Sequence, residues 1–515
     1  MNHNSLVTGL LFPSLDPAEI LFEANSIACI TRLQPKEESS HLPVIVPGFT
    51  DAHCHMVATG LDSLKLDLSA AMTREATLEL LTDNLNDSGS WLIGIGYDQN
   101  RWNGTHLTKF DLDKLSNTQP ILLRHANFHA GVANSKALEL AQIEKFAKDP
   151  PGGKFGRETS GELNGVVFEL AFAKVLKASP TPSMHEIAEG LLTACQHLRR
   201  LGIAAAVDMS TNGVNPSDIF QAYKMISNKS GSIPVRFYVP WRAMFGYNGQ
   251  LNHELDEFRH LIAGVKIFCD GAIGSATAAI YGEYSSVATD GAIFSTRAQK
   301  ASQFETTHVS GQLIYPPKKL EEMIRIADQH GYPVAVHAIG DYAVDVVMDC
   351  FEKISNPGVH RIEHAMILSD QQVNRLARIG CSVSMQPEFL TYFGRTYNRQ
   401  LGEVRAQKLN RYKTLINARV PLSLSSDRPI IRGNPLDSLS ASVQRPSGFA
   451  ASENITLIEA ISGWTSQAAT MSGFPDHFGK ISVGSPSLLN ILKKSQDLTQ
   501  NKVCQEHWNI LDSIK

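Results

Sequence analysis

Residues 318–337 read KKLEEMIRIADQHGYPVAVH and contain one complete helix-to-strand unit. The helix is predicted by apolar residues that recur at helical spacing and form one stripe: Leu320, Met323, Ile324 and Ala327. Gly331 ends this helix, because glycine readily adopts the backbone conformation found just after a helix. The apolar run 333–337 that follows is typical of a buried strand. A helix followed so closely by a buried strand predicts an α/β fold with a parallel sheet.

The same arrangement recurs between residues 183 and 470. A capping box at Ser183 and Glu186 begins one predicted helix, and Gly202 ends it just before an apolar run. The candidate strands found in this way are eight: 44–50, 203–208, 234–239, 264–269, 333–337, 360–364, 381–386 and 421–426. Eight parallel strands with intervening helices predict a (β/α)8 TIM-like barrel.

The spacing of these strands predicts the domain organisation. The first two are about 150 residues apart, much more than one crossover connection needs. We therefore predict a barrel in residues 47–61 and 181–475, with an insertion over 62–180 near the barrel mouth. Alternating runs near both chain ends predict a small β-sandwich domain formed by residues 1–46 and 476–515. Four aromatic residues of the insertion belong either to its core or to a lid: Trp91, Tyr97, Trp102 and Phe128.

Composition excludes several classes of protein. The 515 residues include 47 Lys and Arg against 51 Asp and Glu, which gives a net charge of −4 and no basic patch for nucleic acid or an anionic membrane. No apolar run reaches the roughly 18 residues of a membrane span, and residues 1–15 lack the features of a secretory signal. Seven scattered cysteines without a C-x-x-C pair indicate a reducing compartment. We expect a cytoplasmic protein with a small-molecule substrate and with neither nucleic acid nor a membrane as a partner.

Two histidines two positions apart, His53 and His55, indicate a metal site. Side chains at this spacing on an extended strand point the same way, so both imidazoles can reach one ion. Taken alone, the pair also fits one buried, hydrogen-bonded histidine and one exposed histidine. Three further polar residues end candidate strands, on the face where such barrels build their active sites: His337, His364 and Asp427. Their positions favour the metal site.

Lys266 lies in an otherwise apolar candidate strand, 264–269. Burial lowers the pKa of a lysine and favours the neutral amine. A neutral amine can react with carbon dioxide to give a carbamate, which is able to bridge two cations. The alternative is an ammonium group paired with a carboxylate such as Asp270, and the residues leave the two interpretations open.

Longer motifs along the chain resemble those of one enzyme superfamily. They are PGFTDAHCH (47–55), HAGVANSKAL (129–138), GELNGVVFELA (161–171), VKIFCDGAIGS (265–275), VAVHAIGDYAV (334–344), RIEHA (361–365), SMQPEF (384–389) and SSDRPI (425–430). Together they are similar to the amidohydrolase superfamily and, within it, to amidohydrolase family 3, the YtcJ-like metal-dependent amidases.

This resemblance implies two divalent metal ions, usually zinc, although imidazole and carboxylate donors also accept manganese or iron. The implied ligands are His53, His55, Lys266 as a carbamate, His337, His364 and Asp427. A hydroxide that bridges the metal ions would attack the carbonyl of an amide or N-substituted formamide, and Asp427 would carry the proton to the leaving nitrogen. Weaker candidates, for which substrate contact and a structural role are both open, are His129, Asp270 and Gln386.

Three positions depart from the family pattern. Ala276 stands where the family has an arginine, and Arg428 stands where it has a small residue. Both lie near the predicted site and therefore bear on substrate specificity. The third departure, at residues 484–489, falls in the small β domain and should not affect the chemistry.

Two other functions are compatible with the sequence. A mononuclear deaminase of the same superfamily lacks the bridging lysine and has a glutamate three residues after the third histidine, where this chain has Gly340. A non-catalytic homologue that acts in signalling or as a scaffold would not need to retain all six ligand-type residues. Dimerisation is common for this architecture, and the sequence leaves a homodimer open.

Overall fold

The structure is a computed structural model, and it describes residues 5–23, 26–36, 39, 41–86, 89–102, 104–126, 130–150, 153–209, 213–285, 308–475, 477–485, 488–492 and 508–510. Its strands are β1 (Ser5–Leu11), β2 (Asp16–Glu23), β3 (Ser26–Arg32), β4 (Val44–Pro47), β5 (Phe49–Cys54), β6 (Leu66–Asp67), β7 (Leu92–Tyr97), β8 (Ile121–His125), β9 (Ala130–Ala133), β10 (Gly153–Arg157), β11 (Leu163–Glu169), β12 (Ile203–Asp208), β13 (Val235–Pro240), β14 (Ile262–Phe268), β15 (Ile280–Tyr281), β16 (Val309–Ser310), β17 (Val334–Ala338), β18 (Arg361–His364), β19 (Ser382–Met385), β20 (Leu422–Leu424), β21 (Leu489–Leu492) and β22 (Trp508–Ile510).

The helices are α1 (Met56–Asp62), α2 (Arg74–Asp83), α3 (Lys109–Asp113), α4 (Ser135–Leu140), α5 (Leu170–Lys177), α6 (Met184–Arg200), α7 (Pro216–Ile226), α8 (Trp241–Phe245), α9 (Pro317–Gln329), α10 (Asp341–Phe351), α11 (Asp370–Ile379), α12 (Glu388–Leu401), α13 (Glu403–Ala406), α14 (Tyr412–Asn417), α15 (Pro435–Val443), α16 (Leu457–Trp464) and α17 (Ser466–Met471). Within the described ranges, no helix has the length and hydropathy that crossing a membrane requires.

Eight parallel strands form the central sheet, in the order β5, β12, β13, β14, β17, β18, β19 and β20. This order follows the chain, as in a (β/α)8 barrel. Two backbone hydrogen bonds link the two ends of the sheet, and we call them the barrel seam. In one, the Asp427 amide donates to His53 O at 2.7 Å, and in the other the His55 amide donates to Arg428 O at 2.7 Å. The nearly closed parallel sheet confirms the predicted α/β fold and TIM-like barrel.

The prediction of residues 44–50 as one barrel strand is wrong. The segment divides into β4, which pairs with β1 and β21, and β5, which pairs with β12 in the barrel. Gly48 separates them, and a Cβ at this position would lie only 2.4 Å from the Ala204 Cβ. Both sheets bury apolar side chains, so the apolar run does not reveal where the chain passes from one sheet to the other. The other seven candidate strands agree with the structure to within two residues.

The two helices predicted above, α6 and α9, begin and end within two residues of the predicted positions. At the start of α6, the Glu186 amide donates to Ser183 Oγ at 3.2 Å, and the Ser183 amide donates to Glu186 Oε2 at 2.8 Å. This is the predicted capping box. The predicted apolar stripe of α9 is buried: Leu320, Met323, Ile324 and Ala327.

Strands from both chain ends form one six-stranded sheet, in the order β22, β21, β4, β1, β2 and β3. Ile20, Phe22 and Ile45 lie in the core on which this sheet packs. The pairing of the two chain ends is therefore as expected. The described residues form a single sheet here, so the β-sandwich and its boundaries, 1–46 and 476–515, stay predictions.

Residues 58–194 form a compact unit of their own, whose sheet has the order β10, β11, β9, β8, β7 and β6. Tyr97 is buried in this unit and packs against Trp102, with ring centroids 5.8 Å apart. Trp91 packs against a second apolar cluster of the same unit. Tyr97 therefore belongs to the core, Trp91 and Trp102 are half-buried against it, and Phe128 lies outside the described residues. The position of the insertion near the barrel mouth stays a prediction.

Candidate metal centre

Three donor atoms converge at the carboxyl ends of the first and last barrel strands. His55 Nε2 lies 3.0 Å from Asp427 Oδ1, and His53 Nε2 lies 3.4 Å from the same oxygen. One donor atom from each of the three residues lies within 4.8 Å of the other two. Donors bound at about 2.1 Å in a tetrahedral zinc site lie about 3.4 Å from one another. The observed spacing therefore fits a divalent metal ion such as zinc.

Asp427 carries a charge suited to a metal ligand. Burial alone would raise its pKa, but the neighbouring His53 and His55 hold the pKa of this carboxyl well below its usual value. The residue also has a left-handed backbone, with a φ of 57°, and His364 shares this feature with a φ of 74°. Residues other than glycine rarely adopt this conformation, and such outliers cluster at functional sites.

His337 and His364 form a second pair of imidazoles, with ring centroids 4.6 Å apart. His364 Nδ1 lies 2.6 Å from Gln386 Oε1, and His337 Nε2 lies 2.9 Å from Gly271 O. Both partners are acceptors, so each ring donates through one nitrogen and keeps the other for a metal ion. Burial lowers the pKa of His337 to about 4 and that of His364 well below its ordinary value. Both rings are therefore neutral at pH 7, as metal binding requires.

Lys266 is buried near the two histidine pairs. Its side chain is 2% exposed, and its ammonium nitrogen lies 5.0 Å from the centroid of the Phe268 ring. Burial lowers the pKa of Lys266 to about 8, although Glu363 and Asp427 act in the opposite direction. The sequence left open that Lys266 is an ammonium group paired with Asp270. The structure, which describes both residues, does not show this ion pair. The Asp270 carboxylate instead accepts three backbone hydrogen bonds, from Ile339 at 3.0 Å and from Gly340 and Ala279 at 2.9 Å each.

The sequence profile of the amidohydrolase family matches residues 44–503. The chain belongs to the amidohydrolase family. The putative amidohydrolase YtcJ of Bacillus subtilis is 29% identical over 483 residues, which cover 89% of this chain and 85% of that protein. The N-substituted formamide deformylase of Arthrobacter pascens is 26% identical over 470 residues, which cover 87% of this chain and 83% of that protein.

A solved structure shows the same fold. The crystal structure of an uncharacterized metal-dependent hydrolase from Pyrococcus horikoshii OT3 has a TM-score of 0.72 and 23% identity, and the match covers 95% of this chain and 98% of that one. The resemblance to the YtcJ-like branch of amidohydrolase family 3 is confirmed, and this amidohydrolase is a hydrolase.

The weaker site candidates contact protein groups. Gln386, which touches His364, also donates from Nε2 to Ser425 Oγ at 2.9 Å, and Asp270 binds backbone amides. Their contact with substrate stays a prediction. His129 lies outside the described residues. Arg428 is buried and donates from Nη2 to Arg432 O, and Ala276 is half-buried, so their effect on specificity also stays a prediction.

Two buried charged residues of the amidohydrolase site were missed from the sequence. Glu363 contacts His53 Nδ1, and Arg361 donates to Glu363. The motif RIEHA contains both of them, but only its histidine was assigned a role. Charged residues at alternate positions of a buried strand point to the same face, and an unpaired charge is costly there. This alternation is the signal that could have found them.

Proposed function

We propose that this amidohydrolase uses divalent metal ions to hydrolyse a C–N bond in an amide or an N-substituted formamide. The observation that carries the proposal is the spacing of His53 Nε2, His55 Nε2 and Asp427 Oδ1, at 3.0–3.4 Å from nitrogen to oxygen. The membership of the family supports hydrolysis. The similarity to an N-substituted formamide deformylase supports the choice of substrate class.

The donor set fits two metal ions. His53, His55 and Asp427 would hold one, and His337 and His364 would hold the other. Lys266, as a carbamate, would lie between them. Bound metal ions of this kind polarise a carbonyl group and lower the pKa of water from 15.7 to about 7.

Asp427 is suited to proton transfer. Asp427 Oδ1 lies among the proposed metal donors, 3.0 Å from His55 Nε2 and 3.4 Å from His53 Nε2, so the carboxylate can accept a proton from a water molecule that attacks the substrate there. A C–O bond forms to the carbonyl carbon, and Asp427 delivers the proton to the nitrogen as the C–N bond breaks. The products are an amine and a carboxylic acid, which is formic acid when the substrate is a formamide.

Gly340 disfavours the mononuclear deaminase. A Cβ at this position would lie 1.9 Å from Ala279 O, which is a backbone atom and cannot turn away. The glutamate that such deaminases carry here therefore does not fit without a shift of the backbone. Lys266, which those enzymes lack, also favours the amidase.

The test combines metal analysis with a hydrolysis screen of N-formyl, N-acetyl and N-acyl aromatic amines. We expect two zinc ions per chain and release of the amine, whereas one ion and release of ammonia from a ring would indicate the deaminase. Asp427→Asn should lower the rate by about 10²–10⁴-fold with an unchanged circular dichroism spectrum. The matched control is Asp256→Asn, at an exposed aspartate 2.9 Å from His253. Equal rates of hydrolysis for Asp427→Asn and the wild type would refute the role of Asp427, whereas a metal-loaded wild type that hydrolyses none of these substrates would refute the proposal and favour a non-catalytic role.

A further inference from the structure

Arg361, Glu363 and His53 form one connected group of buried side chains inside the barrel, each no more than 1% exposed. Arg361 Nε donates to one carboxylate oxygen of Glu363, and Arg361 Nη2 donates to the other at 3.0 Å. The second oxygen also contacts His53 Nδ1. We propose that Glu363, held by Arg361, is a positioning residue that fixes the tautomer and orientation of His53 for metal binding. This inference rests on the proposed function, because it takes His53 as a metal ligand.

The position of Asp427 explains why His53 needs such a partner. His53 lies between two carboxylates, with Glu363 at Nδ1 and Asp427 Oδ1 3.4 Å from Nε2. A neutral imidazole has one N–H, and each carboxylate favours the tautomer that directs this N–H toward it. If Asp427 received the N–H, Nε2 would have no lone pair for a metal ion. The contact with Glu363 places the hydrogen on Nδ1 and leaves Nε2 free.

Arg361 also anchors Glu363 to the strand that carries the histidine. Besides its two bonds to Glu363, it donates from Nη2 to Ala52 O at 2.8 Å, one residue before His53. The guanidinium group therefore fixes the carboxylate relative to the backbone of β5. Histidine ligands are commonly oriented by such an acceptor, and loss of the acceptor weakens metal binding by about 10–100-fold.

Two variants separate positioning from folding. Glu363→Gln keeps the shape of the side chain but removes its charge, and it leaves the Arg361 cation unpaired. The double variant Arg361→Met with Glu363→Leu removes the whole ion pair, an exchange for apolar residues that folded proteins often tolerate. Asp328→Asn is the matched control, because Asp328 Oδ1 lies 3.2 Å from Nε2 of another buried histidine, His360, which is not a predicted ligand.

The experiment measures zinc affinity by competition with a chromophoric chelator, together with the histidine tautomers by ¹⁵N NMR. We expect the double variant, which has no acceptor for His53 Nδ1, to bind the His53 zinc ion about 10–100-fold more weakly and to lose the Nδ1–H tautomer of His53. Glu363→Gln keeps an amide oxygen that can accept this N–H, as Gln386 Oε1 does for His364, so it should keep the tautomer and weaken zinc binding less. Asp328→Asn should match the wild type. If the folded double variant binds zinc as tightly as the wild type, the positioning role is wrong and the proposed function stands. If the wild type binds neither zinc nor manganese nor iron, the proposed function itself fails.

Discussion

Glu388→Gln should stabilise the protein, by an amount that grows with pH. The side chain of Glu388 is 1% exposed, and neither of its carboxylate oxygens has a hydrogen-bond partner within the described residues. Burial, with a smaller contribution from Asp437, raises its pKa from 4.5 to about 8, although Arg428 acts in the opposite direction. A buried acid without partners is more stable when it is protonated.

The pKa shift sets the size of the effect. Between pH 4.5 and 8 the folded chain keeps a proton on Glu388 that the unfolded chain releases, so the free energy of unfolding falls as the pH rises. At about 1.4 kcal/mol for each pKa unit, the acid costs about 1 kcal/mol at pH 5 and about 4 kcal/mol at pH 7.5. Glutamine has nearly the same shape and does not titrate. The gain in stability from Glu388→Gln should therefore be about 3 kcal/mol larger at pH 7.5 than at pH 5.

Urea unfolding of the wild type and the variant at these two pH values measures this difference. The matched control is Glu352→Gln, at a more exposed glutamate whose pKa is lowered by its hydrogen bonds to Arg375. A lowered pKa makes the carboxylate stabilising above its unfolded value, so the control should change in the opposite direction and by less. A gain from Glu388→Gln that is the same at both pH values would refute the reasoning.

Three further predictions concern packing and metal binding. Gly340→Ala should destabilise the protein by about 1–3 kcal/mol, because its Cβ would lie 1.9 Å from Ala279 O; an unchanged melting temperature would contradict this. Trp464→Ala should cost about 3–5 kcal/mol, since the indole is fully buried and donates to Ser438 Oγ at 3.0 Å, and urea unfolding would show whether the loss is smaller. Zinc at a free concentration 1,000 times its Kd should stabilise the folded protein by about 4 kcal/mol for each occupied site, and a chelator should reverse this in calorimetry; a melting temperature insensitive to zinc would count against the site.

The barrel could be predicted because each of its strands can be recognised from residues that are neighbours in the sequence. Each strand is a short apolar run, and His337, His364 and Asp427 lie at or just beyond the ends of such runs, so counting strands also located the donors. The error at residues 44–50 arose because their assignment depends on partner strands that are distant in the sequence. Residues on either side of Gly48 are equally apolar, and only their partners, β21 on one side and β12 on the other, assign them to different sheets.

The role of Glu363 could not be read from spacing alone. Its partner His53 lies 310 positions earlier in the chain, and the barrel brings the two together only when β5 and β18 lie across the same interior. Whether Lys266 pairs with Asp270 was equally undetermined, because Asp270 had the right charge and the right distance along the chain. The structure shows that backbone amides occupy that carboxylate, which the sequence does not reveal.

The barrel seam has a consequence for the time at which activity arises during synthesis. His55 and Asp427 are separated by 372 positions, so the ribosome completes the first two donors long before the third. Asp427 and Arg428, which are also made late, form the hydrogen bonds of the barrel seam that hold the end of β5 in place. A nascent or truncated chain that stops short of β20 therefore has neither the full donor set nor the backbone contacts that arrange it, so the candidate metal centre can form only after translation has passed the last strand.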